Sequence, residues 1–109
     1  GHLKVRNLVA ILDANGFQGD APVLDRMNYA PLAKRISDLG WTMHECDGHA
    51  VDDLAKLFVT LRTQSTGPYF VWAKTTKGKG VSFMEGDNAW HGSRGLTVAE
   101  MSAAEAELA

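Results

Sequence analysis

Pro68-Tyr69-Phe70-Val71-Trp72-Ala73-Lys74 carries no charge before its last position and shows no polar alternation. An apolar run of this length, rich in aromatic and β-branched residues and entered through Gly67-Pro68, reads as a strand covered on both faces. Asn7-Leu8-Val9-Ala10-Ile11-Leu12-Asp13 reads the same way, and Trp41-Thr42-Met43-His44-Glu45-Cys46 supplies a third apolar run. Two helical patterns lie between these runs. Pro31 suits a first helical turn, Leu32, Ala33, Ile36 and Leu39 follow at helical spacing, and Gly40 can end the helix in a left-handed conformation. The second pattern puts Leu54, Leu57, Phe58 and Leu61 on one face, with Asp52 and Asp53 favourable near its N-terminus. Strand, helix, strand, helix, strand demands two βαβ crossovers and a parallel sheet, so the fold class is α/β. Thr97-Val98-Ala99-Glu100 matches a capping box and predicts a final helix with a Met101, Ala104, Leu108 stripe, whose role is packing. The chain thus divides into residues 1–96 and a terminal helix over 97–109.

The 109 residues are 45% hydrophobic and 22% charged, which predicts one globular unit at most. Eleven basic residues against 13 acidic ones leave a formal charge of -2. That balance argues against a nucleic-acid footprint or a membrane-surface patch, so any phosphate site must be local. Cys46 is the single cysteine and cannot form an internal disulfide; this points to a reducing compartment, the cytoplasm. No apolar run reaches the roughly 18 residues of a membrane span, and the first residues lack the apolar stretch of a signal peptide.

Two stretches are not accounted for by packing, Ala14 to Ala30 and Thr75 to Gly95. Both follow predicted strands, and open parallel sheets bind ligands beyond the carboxyl ends of their strands. In the first, Asn15 offers a neutral side-chain oxygen and the next residues offer bare carbonyls, the hard ligands that magnesium takes beside phosphate oxygens. Asn15-Gly16 is equally a turn signal. In the second, Lys74-Thr75-Thr76-Lys77-Gly78-Lys79-Gly80 lets ammonium groups and amides approach an anion closely, or forms a solvated basic turn. His91, between Trp90 and Gly92, can exchange protons near neutrality or serve as a structural hydrogen-bonder. His49 and His44 read as structural. No zinc-spaced Cys/His cluster and no nucleophile elbow is visible.

The order of these motifs is more specific than any one of them. Asp13-Ala14-Asn15-Gly16, then Gly40-Trp41 and Asp47-Gly48-His49, then Lys77-Gly78-Lys79-Gly80-Val81-Ser82-Phe83-Met84-Glu85 and Trp90-His91-Gly92, resemble the thiamine diphosphate-binding domain of transketolases. The wording is nearest that of the N-terminal subunit of two-subunit bacterial transketolases, and the resemblance covers essentially Leu3 to Gly92. It implies the latter half of a diphosphate-binding domain over residues 1–96. The cofactors implied are thiamine diphosphate and Mg2+ or Ca2+, with Asn15 and the Phe17 backbone carbonyl as metal ligands. Lys77 is implied beside the diphosphate, and His91 beside both the diphosphate and the reacting end of the substrate, as the catalytic residue. The implied reaction moves a two-carbon ketol unit from a ketose to an aldose.

The family's Gly-Asp-Gly motif, whose aspartate is the remaining metal ligand, does not occur upstream of Asn15. The implied partners are therefore a chain or segment carrying that motif and a pyrimidine-binding transketolase subunit, with sugars as substrates. On this reading the chain works only within a larger heteromeric assembly. A 1-deoxyxylulose-5-phosphate synthase shares Asp-Gly-His and Lys-Gly-Lys-Gly, but Trp90-His91-Gly92 favours transketolase. A non-catalytic binding or assembly subunit is the alternative of a different class.

Overall fold

The computed structural model describes residues 1–64, 66–92 and 94–109. The chain forms two compact units, one of residues 1–14 and 29–75, the other of residues 15–28 and 76–109.

The first unit is built on a three-stranded parallel sheet of order β1-β5-β4, with β1 at Val9–Ala14, β4 at Thr42–Asp47 and β5 at Tyr69–Lys74. Val9 and Thr42 both stand in register with Tyr69, and Ala14 and Asp47 both stand opposite Lys74. Helix α2 (Leu32–Asp38) connects β1 to β4, and helix α3 (Val51–Gln64) connects β4 to β5. The two predicted crossovers are therefore present. Only the second joins neighbouring strands, because β5 occupies the place between β1 and β4. Helix α2 starts after Pro31 and stops at Gly40, whose φ of +82° is the left-handed conformation that glycine adopts without strain.

Alternation along β5 sorts its side chains between the two faces. Tyr69, Val71 and Ala73 are buried with Leu61 of α3, and Val9, Cys46, Leu57 and Phe58 pack against that cluster. On the opposite face, Tyr29 stacks on Trp72 with ring centres 5.4 Å apart, and Trp41 meets Phe70 edge-on at 6.3 Å. The central strand is thus covered on both sides, as its composition requires. The first strand departs from expectation: among the described residues β1 pairs with β5 alone, and Ile11 is 58% exposed. A run of apolar residues in a strand does not by itself reveal whether it is central or at an edge. His44 lies on β4, an edge strand, with its ring 5.8 Å from that of Tyr69 and its Nε2 buried without a partner among the described residues. Burial pushes the Cys46 thiol up from its ordinary value, and the neighbouring Asp47 and Glu45 carboxylates add to that. Among the described residues, no helix is long and apolar enough to cross a membrane.

The second unit holds the hairpin of β2 (Phe17–Gln18) and β3 (Ala21–Pro22), the single-turn helix α1 (Val23–Arg26), a 3₁₀ turn at Asn88–Trp90 and helix α4 (Val98–Leu108). Helix α4 begins where the capping box predicts: the Thr97 hydroxyl accepts from the Glu100 amide, and the Glu100 carboxylate accepts from the Thr97 amide. Its apolar stripe is mostly unused, since Ala104 is buried while Met101 and Leu108 are exposed. A polar clamp supplements Ala104, with the Glu107 carboxylate accepting from the Ser82 amide at 2.5 Å and from the Ser82 hydroxyl at 2.8 Å.

Candidate cofactor-binding site

Asn15 follows directly on β1, and its side-chain oxygen accepts from the Phe17 amide at 2.9 Å. This is the Asx turn that an Asn-Gly pair favours, with Gly16 at φ +83°. The turn feeds the hairpin, where Phe17 stands opposite Pro22. Pro22 has no N–H, so this pair cannot exchange the two hydrogen bonds of a closely bonded pair. The ladder is instead made by the flanking residues, including the Val23 amide to the Gly16 carbonyl at 2.9 Å. The Phe17 carbonyl is therefore directed away from β3.

The lysine-rich segment folds back on itself. The Lys77 carbonyl accepts from the Gly86 amide at 2.9 Å, and the Gly78 carbonyl accepts from the Val81 amide at 3.2 Å. Gly78 sits at φ +73°, and a Cβ there would lie 2.4 Å from the Met84 carbonyl oxygen. Only glycine permits that approach. The Glu85 carboxylate caps the Gly80 amide at 2.9 Å and stands 3.5 Å from the Lys79 ammonium. Lys79 is thereby given a counter-charge, whereas no carboxylate among the described residues pairs with Lys77. A lysine held on a tight turn without a counter-ion is suited to an anionic ligand.

His91 closes the 3₁₀ turn, its amide donating to the Asn88 carbonyl at 3.0 Å. The Asp87 carboxylate starts the same turn by accepting from the Ala89 amide at 2.9 Å. Trp90 is held by its indole N–H, which donates to the Phe83 carbonyl at 3.1 Å, and by a tilted contact between the two rings at 5.4 Å. The Arg94 guanidinium carbon lies 3.7 Å from the centre of the Trp90 ring. His91 itself is exposed, and its Nδ1 stands 3.4 Å from the Lys77 Nζ.

The structure thus brings Asn15 together with Phe17, and Lys77 together with His91, all four within the second unit. His49 is not among them: its amide donates to the Asp47 carboxylate at 2.8 Å, in the turn that leads into α3. Beside it, a Cβ on Gly48 would meet the Thr75 Cγ2 at 2.4 Å, so the turn after β4 needs glycine for room. The contacts of Arg94 with Trp90 and Glu100 are not legible in the sequence. Trp90 and Arg94 have helical spacing, but Gly92 at φ +95° lies between them, so no periodic signal marks their contact.

Residues 1–108 match the family described as transketolase, thiamine diphosphate binding domain. The chain is similar to one subunit of the apulose-4-phosphate transketolase of Phocaeicola vulgatus, at 35% identity over 97 residues, which cover 89% of this chain and 34% of that protein. It is similar to human transketolase at 40% identity over 91 residues, covering 82% of this chain and 14% of the human enzyme. Among solved structures, the transketolase of Campylobacter jejuni superposes with a TM-score of 0.87 and 26% identity, over 99% of this chain and 17% of that one. The chain therefore spans about a third or less of the length of these relatives. With the parallel α/β sheet and the family match over nearly every residue, the chain belongs to the transketolase family, as a thiamine diphosphate-binding domain.

Proposed function

We propose that this chain supplies magnesium and diphosphate contacts to a transketolase-type transferase that moves a two-carbon ketol unit from a ketose to an aldose. The observation that carries this reading is the 3.4 Å approach of His91 Nδ1 to a Lys77 ammonium that pairs with no carboxylate among the described residues, within a chain of the transketolase family. When bound, thiamine diphosphate supplies the centre at which the two-carbon unit is carried. Lys77 would meet the diphosphate as a point charge, and His91 would stand next to it, able to donate a hydrogen bond or pass a proton at the reacting end of the sugar. Asn15 Oδ1 and the Phe17 carbonyl would take the metal, Mg2+ or Ca2+.

The donor set fits this cofactor. Two neutral oxygens two residues apart suit a hard cation that also binds phosphate, and one of them, the Phe17 carbonyl, takes no part in the hairpin ladder. Two protein oxygens are too few to satisfy Mg2+, which prefers near-octahedral coordination. The reading therefore includes a partner chain or segment carrying the Gly-Asp-Gly motif, and a pyrimidine-binding subunit. Residues 1–96 act on this reading as the latter part of the diphosphate-binding domain, in the cytoplasm.

Titrating thiamine diphosphate with Mg2+ into the isotope-labelled chain tests the assignment. Weak binding is expected, with the resonances of Lys77, His91 and Phe17 moving first and less movement when Mg2+ is withheld. Shifts confined to other residues, or tight binding independent of Mg2+, would overturn it.

A further inference from the structure

Beyond His91 itself, the second unit holds a chain of contacts that ends at this histidine and starts on α4. The Arg94 guanidinium donates to one oxygen of Glu100 at 2.6 Å, while the other oxygen accepts from the Thr97 amide and hydroxyl, both at 2.9 Å. Glu100 is thus fixed by the capping box at the start of α4, and in turn fixes the direction of the guanidinium. The guanidinium lies over the Trp90 ring at 3.7 Å, and the indole N–H is tied to the Phe83 carbonyl. An arginine is suited to this place because its flat, delocalised cation can stack on an indole while its N–H groups still bond a carboxylate. Trp90 immediately precedes His91, so whatever fixes the Trp90 backbone also fixes where the imidazole starts.

We propose that Arg94, aimed by Glu100, is a positioning residue that holds the Trp90–His91 turn so that the His91 ring faces Lys77. The inference rests on the reading of His91 and Lys77 as diphosphate contacts for its functional meaning. Its geometry is independent of that reading. It gives α4 a role beyond packing: the helix start anchors one face of the candidate site, with the Thr97–Glu100 capping box as the fixed point. The pairing is also consistent with the carboxyl of Glu100 being held below its ordinary range by the Thr97 amide, then the Thr97 hydroxyl and then Arg94.

The test uses the full chain without cofactor, as wild type, Arg94→Gln, Arg94→Lys and Glu100→Gln. Glutamine at position 100 can still complete a capping box, so α4 keeps its start while the guanidinium loses its anionic partner. Two quantities are read by nuclear magnetic resonance: hydrogen exchange of the Trp90 indole N–H, and the cross-relaxation between the His91 ring protons and the Lys77 side chain. Circular dichroism reports helix content in parallel. Arg94→Gln should speed indole exchange about 2- to 5-fold, the scale of an exposed cation–π contact, and weaken the His91–Lys77 cross-peak. Glu100→Gln should act in the same direction with helix content kept, and Arg94→Lys, which keeps the charge but not the planar fork, should recover the signals only in part. An unchanged cross-peak in Arg94→Gln and Glu100→Gln would overturn the proposal, as would loss of helix content with the His91 signals intact. Adding inorganic diphosphate to wild type separates the two readings. If the His91 and Lys77 resonances do not respond, the diphosphate assignment fails, while the dependence of the cross-peak on Arg94 still decides the positioning role.

Discussion

At the residue scale, His91 is exposed, and its backbone rather than its ring carries the turn. A histidine that matters for folding has a buried partner that its removal would strand, at about 1–3 kcal/mol. His91 has no such partner among the described residues; its ring faces the Lys77 ammonium. If the chain works in a transketolase-type assembly as proposed, His91→Ala in that assembly should lower turnover by roughly 10²-fold, the usual scale for a positioned acid, base or donor, with the denaturant midpoint unchanged. A lowered midpoint with intact turnover would contradict the assignment. Asn15 differs, because its oxygen already closes a turn. Asn15→Leu should cost about 0.5–1.5 kcal/mol of stability for the lost hydrogen bond and, separately, weaken Mg2+-dependent cofactor binding in the assembly. Calorimetry that finds the stability loss alone would leave Asn15 as a turn residue only. The residue types at 15, 77 and 91 were legible in the sequence because their chemistry is local. The approach of Lys77 to His91 was not, since the two are 14 residues apart and meet only through the way the intervening loop folds back.

At the element scale, the segment from Lys77 to Gly86 turns at three glycines with positive φ, Gly78, Gly80 and Gly86, of which the first and last are in different situations. Gly78 and Gly86 both have positive φ, but a side chain would strike the Met84 backbone at the first and nothing at the second. Gly86→Ala should cost about 1–2 kcal/mol, the left-handed penalty alone, and Gly78→Ala distinctly more; equal denaturant midpoints for the two variants would show that the Met84 contact does not constrain the loop. The capping box of α4 was readable from Thr97 and Glu100, because its spacing is a property of one helical turn. The attachment of the helix was not, because Glu107 holds Ser82 from 25 residues away. Glu100 also gives α4 a pH dependence. Its folded pKa is depressed, so its contribution is present above the unfolded value of about 4.3 and is lost as pH falls through the lower folded value. Chemical shifts of the Thr97 to Met101 amides, followed from neutral pH downward, should show a transition whose midpoint lies below that of an unperturbed glutamate. In Glu100→Gln this transition should disappear.

At the scale of the whole molecule, the chain leaves the first unit after Ala14, returns at Tyr29 and leaves again after Thr75. The parallel sheet was legible because two helical crossovers permit little else, whereas the order β1-β5-β4 depends on where β5 inserts, which no local pattern encodes. The hairpin at Phe17–Pro22 was not legible, because two-residue strands have no period. All four candidate residues belong to the second unit, although they come from segments on either side of the first unit's α2–β5 stretch. The central claim is that Asn15 and Phe17 hold the metal while Lys77 and His91 face the diphosphate that the metal accompanies. Replacing Mg2+ by paramagnetic Mn2+ in the presence of thiamine diphosphate, and mapping resonance broadening along the labelled chain, tests it most directly. The account predicts the strongest broadening at Asn15, Gly16 and Phe17, followed by Lys77 and His91; broadening centred instead on Asp47, Asp52 and Asp53 would contradict it.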